Sequence, residues 1–214
     1  MTMIGRGAGL ALVLVLTTAL AGCLDTTEPI PVVEARVAHA APGLGTATVI
    51  LDGVPAVELP AQQAVYFPLN VATHTYRFRF DADSTELTVN HDADINGVVL
   101  MDRDQPSIHH YRLARLFGQP RVLVINGDFT TMEPMEVEIT GSEETFHGLI
   151  APGEELEIEP APGEFQIRIR PGADLEHVDL APFTLQVDDN GFLVIAPLPN
   201  GELEEEHEYT RILF

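Results

Sequence analysis

After an apolar stretch at its N-terminus, the chain reads as short runs in which apolar and polar residues alternate. Gly, Pro, Asn and Asp punctuate the runs. Thr48-Val-Ile-Leu-Asp-Gly53, Thr75-Tyr-Arg-Phe-Arg-Phe80 and Glu164-Phe-Gln-Ile-Arg-Ile169 show the pattern most clearly. A period of two is what a pleated strand with one buried face demands, and no stretch keeps a helical period. Strands are expected near 35-40, 46-51, 63-69, 75-80, 85-90, 97-101 and 109-117. A second series falls near 121-126, 135-140, 145-150, 154-159, 164-170, 183-188, 191-197 and 208-214, with one of these allowed to be a split strand. Asn96-Gly97 and Asn190-Gly191 read as turns, since Asn-Gly is the strongest short hairpin signal.

The pattern is written twice. Arg36-Val37 answers Arg121-Val122, Val49 to Gly53 answers Val137 to Gly141, and Tyr76 to Phe80 answers Phe165 to Ile169. Leu87-Thr-Val89 answers Leu185-Gln-Val187, and His110 to Phe117 answers His207 to Phe214. Landmarks kept in one order imply two homologous units joined at Gly118-Gln119-Pro120, too short a linker for the units to stay apart. About seven strands in each half is the strand count of an immunoglobulin-like sandwich. The expected fold is all-β, with two tandem immunoglobulin-like β-sandwich units at 34-117 and 118-214.

The apolar run from Leu10 to Ala19 follows one positive charge, Arg6, and ends in Leu20-Ala21-Gly22-Cys23. It is shorter than the ~20 residues that span a bilayer as a helix. Charge, apolar core and small residues together read as a signal peptide over 1-22. Leu20 to Cys23 resembles the lipobox of bacterial lipoproteins, in which cleavage falls between Gly22 and Cys23. That resemblance implies a covalent diacylglycerol and a fatty acid such as palmitate on Cys23, with residues 23-33 as a tether stiffened by Pro29 and Pro31. Leu24 stands where an aspartate would retain a lipoprotein in the inner membrane, so the expected location is the cell envelope, at the outer membrane in an organism that has one. Cys23 is the chain's single cysteine and has no partner for an intramolecular disulfide.

A further resemblance lies in the first unit. Ala35-Arg36-Val37-Ala38-His39-Ala40-Ala41-Pro42, followed by Val49-Ile50-Leu51-Asp52-Gly53, resembles the secreted bacterial family called domain of unknown function 4397. Ala161 to Ile167 matches that family's Pro-Ala-Gly hairpin phrase in the second unit, whereas Leu123 to Asn126 departs from its His-Ala-x-Pro phrase. The resemblance implies a β-sandwich in an envelope or extracellular setting, and no reaction.

Charge narrows the partners. The chain has no lysine, and its 11 basic residues face 33 acids. Residues 23-117 carry 12 acids and six arginines, while 118-214 carry 21 acids and four arginines. Such a field repels nucleic acid and anionic membrane surfaces alike, and it solubilises the surface. The membrane, through its lipid, and an envelope protein or glycan are the expected partners. Leu156-Glu-Ile-Glu159 puts two glutamates on one strand face, where a cation would relieve their repulsion.

Candidate chemistry is sparse. Asp92-Ala-Asp94-Ile-Asn96-Gly97 has the spacing that opens a calcium loop, but the twelfth position, where a bidentate Glu belongs, is Arg103. Asp92, Asp94 and Asn96 are therefore weak calcium candidates beside a plain turn. His109 and His110 would face opposite sides of a strand, and His39 is expected to bond near the following turn. Serine occurs at Ser84, Ser107 and Ser142 alone, and only Ser107 has a histidine close by, His109. There is no Gly-x-Ser-x-Gly elbow, phosphate loop or His-Glu-x-x-His. The expectation is a non-enzymatic envelope lipoprotein with a structural or surface-binding role and no cofactor. A calcium-dependent adhesion or carbohydrate-binding module is the first alternative and a hydrolase the second.

Overall fold

A computed structural model describes residues 31-41, 43-80, 83-101, 106-130, 133-173, 175-198 and 209-214. Gly22, Cys23 and most of the expected tether lie outside these residues. The first half contributes β1 (Val32–His39), β2 (Ala47–Leu51), β3 (Val54–Leu59), β4 (Gln63–Asn70), β5 (Thr73–Phe80), β6 (Asp83–Asn90), β7 (Ile95–Met101) and β8 (Ser107–Leu113). The second contributes β9 (Arg121–Asn126), β10 (Met135–Thr140), β11 (Thr145–Ile150), β12 (Glu155–Ile158), β13 (Gly163–Arg170), β14 (Val178–Leu185), β15 (Asn190–Pro197) and β16 (Tyr209–Leu213).

The halves repeat one topology. Sheets ordered β4-β1-β7-β8 and β3-β2-β5-β6 form the first pair, and β12-β9-β15-β16 and β11-β10-β13-β14 form the second. In each half one parallel pairing, β1 with β7 or β9 with β15, sits among antiparallel ones. The protein is thus all-β, with two tandem eight-stranded sheet pairs. The eighth strand of the first half is β3, absent from the sequence expectation because Pro55 interrupts it and only Leu59 in it is buried. Expected strand 183-188 runs instead over Val178–Leu185, and Val32 and Val33, assigned to the tether, open β1.

Strand pattern reports layer position. In β5, Tyr76, Phe78 and Phe80 are buried while Arg77 and Arg79 are exposed, the alternation of an outer sheet with one wet face. In contrast, every residue of β7 and β15 is buried. Their two faces serve different cores. Val98 and Leu100 join Val37, Val49, Tyr76 and Phe78 inside the first sandwich. Leu193 and Ile195 join Val137, Ile139, Phe165 and Ile167 inside the second. The opposite faces, with Ile95, Val99 and Met101 on β7 and Phe192, Val194 and Ala196 on β15, meet in a third apolar core. The expected contact between the units is therefore a shared core, and the sheets stack four layers deep in one unit from Val32 to Phe214.

This packing overturns the Asn-Gly expectation. Gly97 and Gly191 lie within β7 and β15, not in turns. A Cβ on Gly97 would stand 3.0 Å from the ring of Phe192, so glycine here lets two sheets approach. A two-residue turn with positive φ lies instead at Asp52-Gly53 (φ 51° and 81°), the geometry of a hairpin between β2 and β3.

Equivalent hydrogen bonds also correct the repeat's register. Ala40 N–H donates to Leu100 O, and Gly127 N–H donates to Ile195 O. His39 therefore corresponds to Asn126, and Arg36-Val37 is displaced by two positions from Arg121-Val122.

Candidate functional site

Alternate residues of β1 share a face. Ala38 on that face enters the shared core, while Glu34 and Arg36, nearer the strand's start, emerge from it. Glu34 holds two cations: Arg36 (Nη2 to Oε1, 2.6 Å) and the Arg115 guanidinium on Oε2. Arg115 arrives from the segment after β8, whose backbone is pinned here. Its N–H donates to Asp94 Oδ2 (3.0 Å), and the Leu116 N–H donates to Asn190 Oδ1 (2.8 Å). Three grooves of about 300, 530 and 340 Å³ open around this carboxylate, and Glu34 lines all of them. Two of them adjoin Leu213 and Phe214. The grooves open at the end where the two sandwiches are joined. Sequence reasoning missed it, because Glu34 and Arg115 are 81 residues apart.

A second cluster lies at the edge of the first sandwich. His91 is fully buried and stacks on Tyr76 (ring centroids 5.6 Å) and on His110 (5.8 Å), with the His74 ring edge-on at 5.1 Å. Its Nε2 lies 3.2 Å from Tyr76 Oη, and its Nδ1 has no hydrogen-bond partner. Burial, then the neighbouring His74 and His110, push its pKa down to about 4. Burial lowers His110 as well. His74 Nδ1 meets Asp52 Oδ2 at 2.8 Å. The Thr75 backbone N–H and that imidazole hold the Asp52 carboxyl below its ordinary range.

The weak calcium candidates have other employment. Asp92 pairs with Arg112 (3.2 Å), whose guanidinium holds its carboxyl below the usual value. Asp94 accepts the Arg115 N–H. Asn96 is buried inside β7, where its Nδ2 donates to Ala93 O (2.9 Å) and its Oδ1 lies 3.2 Å from His110 Nε2. An oxygen set directed at arginine, backbone N–H and imidazole does not converge as a calcium loop requires. Among the described residues no group of three or more His, Cys, Asp or Glu is arranged to hold a metal ion.

His39 is fully buried, and burial lowers its pKa to about 4, partly offset by a hydrogen bond with the Gly45 backbone in the turn after β1, where the sequence places its partner. His109 and His110 do face opposite ways: His109 packs on Phe129 (5.4 Å), His110 on His91. Ser107 Oγ and His109 Nε2 are 2.9 Å apart, the first link of an activated serine, but neither residue lines any of the three grooves. The cation expected for the Glu157 and Glu159 face comes from the chain itself, since Arg121 Nη2 reaches both carboxylates (2.5 and 3.1 Å). The acidic run at 202-208 lies outside the described residues.

The buried carboxylate of Asp128 is satisfied by three donors: Tyr209 Oη at 2.7 Å, the Thr130 N–H at 2.8 Å and Thr130 Oγ1 at 2.6 Å. Burial and this carboxylate drive the Tyr209 pKa upward. The arrangement ties β16 to the segment after β9. No family model matches the chain, and no curated protein matches it.

Proposed function

We propose that the protein is a membrane-anchored lipoprotein of the bacterial cell envelope, with a structural or surface-binding role and no catalysis. The observation that carries this is Leu20-Ala21-Gly22-Cys23 closing an apolar run, with the chain's single cysteine at the acylation position. The body fits the role. Two sandwiches that share a core make a rigid spacer, and edge strands such as β4 and β14 offer backbone groups to a partner protein. The net charge of −22 keeps that body soluble beside a membrane.

Each half is read as an immunoglobulin-like variant carrying one extra strand, on the support of its two four-stranded sheets and its length. The phrase from Ala35 to Gly53 supports membership of the domain of unknown function 4397 family, and Leu24 supports outer-membrane sorting. Cells fed an alkyne-bearing palmitate and fractionated provide the test. The parent chain is expected to take up label and pellet with membranes, and Cys23→Ala to do neither. Equal pelleting of both forms would refute the anchor.

A further inference from the structure

The second sandwich covers only part of the face of β1 that it packs on. Ala38 is fully buried and Arg36 is half-buried, but Val32, on the same face, is 64% exposed. Around the uncovered end stand other large apolar side chains. Tyr66 is 54% exposed and lines one groove with Val32 and the 77% exposed Phe117, and a second groove with the 39% exposed Leu213. Two aromatic and two aliphatic groups thus project around one carboxylate-arginine hub. Single exposed hydrophobics need no explanation, whereas a contiguous set marks a contact surface.

We propose that this face is the protein's membrane-docking surface, resting on the headgroup layer of the bilayer that carries Cys23. The inference rests on the anchor reading above and adds which side of the body meets the lipid. Connectivity argues for the occupant. Eight residues separate Cys23 from Val32, and at about 3.3–3.6 Å per residue even an extended segment keeps Val32 within about 30 Å of the anchor. Val32 is itself part of the patch, so the tether joins the body at the patch and keeps that side within reach of the lipid.

Composition argues the same way. Tyr rings are favoured at headgroup depth, Phe and Leu belong to the apolar face of interfacial surfaces, and arginine stems lie along apolar surface while their heads stay wet. Charge at the three grooves is nearly balanced. Arg36, Arg115 and Arg211 stand against Glu34, Asp94, Asp188 and Asp189. In a chain of net charge −22, a nearly balanced patch opposes approach to a phosphate surface less than the average surface does. Docking is therefore apolar in origin, and it needs no anionic lipid.

The chain contains no tryptophan, so one introduced residue is a unique reporter. Full-length Phe117→Trp, Tyr66→Trp and, as a control on the exposed part of β11, Leu149→Trp are expressed in cells and purified from membranes. They are then reconstituted into phosphatidylcholine vesicles with and without brominated acyl chains. The mass of each purified chain first reads the Cys23 modification. An unmodified thiol refutes the anchor reading alone, and coupling Cys23 to a maleimide lipid then lets the docking test proceed.

Docking predicts that Trp at 117 and 66 shifts to the blue and loses most of its emission to the brominated lipid, while Trp at 149 keeps its own. No quenching at 117 and 66, or equal quenching at all three sites, overturns the proposal. A blue shift without quenching, growing with protein density on the vesicle, also overturns it and assigns the face to a second copy of the chain.

Discussion

Lowering the pH from neutral toward 4 should destabilise this fold through its buried imidazoles, and His91 allows the effect to be isolated. In the folded protein its pKa is about 4, set by burial and by His74 and His110 against the weaker opposing pull of Asp52 and Asp92. In the unfolded chain it returns to 6.5. As the pH falls, the unfolded chain takes the proton first, so stability is lost from about 6.5 downward and the loss ends near 4. At about 1.36 kcal/mol per pKa unit, the fall from 6.5 to about 4 is worth about 3 kcal/mol. His39, fully buried and lowered to the same region, adds a comparable amount. Against total stabilities of about 5–15 kcal/mol, the pair is a large fraction. The carboxylates act in another window. Asp52 and Asp92 are held below the ordinary aspartate value, so their contribution is present above that value and is lost only at lower pH. Urea unfolding followed by circular dichroism, at a series of pH values between about 7.5 and 4.5, measures the slope. His91→Phe keeps an aromatic ring stacked between Tyr76 and His110 and cannot titrate. It should remove about 2–3 kcal/mol from the stability lost over that window, whatever its stability at neutral pH. An unchanged slope in His91→Phe would refute the reasoning.

Two further substitutions test the core and the buried carboxylate. Phe192→Ala empties the shared core at a fully buried ring and should cost about 3–5 kcal/mol in chemical unfolding. The unfolding should stay a single transition, since both sandwiches lose the same support; two separated transitions would contradict a shared core. Tyr209→Phe removes one of three donors from buried Asp128 and should cost about 1–3 kcal/mol, read as a lowered midpoint in urea, and a neutral result would show that water replaces the hydroxyl.

Much of the fold is legible in the chain because an outer strand has one wet face. Arg77 and Arg79 between Tyr76, Phe78 and Phe80 announce both the strand and its orientation. The inner strands were harder to interpret. Ile95 to Met101 and Asn190 to Pro197 are nearly continuous apolar runs, and only the four-layer stack explains why both of their faces are dry. The same stack turns Asn96-Gly97 from an apparent hairpin into a strand. A dipeptide signal is local, but Gly97 answers to Phe192, which lies 95 positions away in the other half. Strand β3 stayed hidden for the opposite reason, since an edge strand with little burial leaves almost no hydrophobic pattern.

The surface features divide along the same line between local and distant. The lipobox-like phrase lies in four consecutive residues, Leu20 to Cys23, whereas the joined end is assembled from β1, β4, the segment after β8 and the end of β16. Only when the halves repeat their topology and share a core do Glu34, Arg115 and Phe214 become neighbours. The shared core also makes that end mechanically definite. A hinged pair of sandwiches would let a tethered body turn any side to its membrane. In a fused pair entered at Val32, the proposed tether's reach and the rigidity of the stack would restrict which side can face it. On the proposed anchor, orientation relative to the bilayer would then follow from where β1 begins.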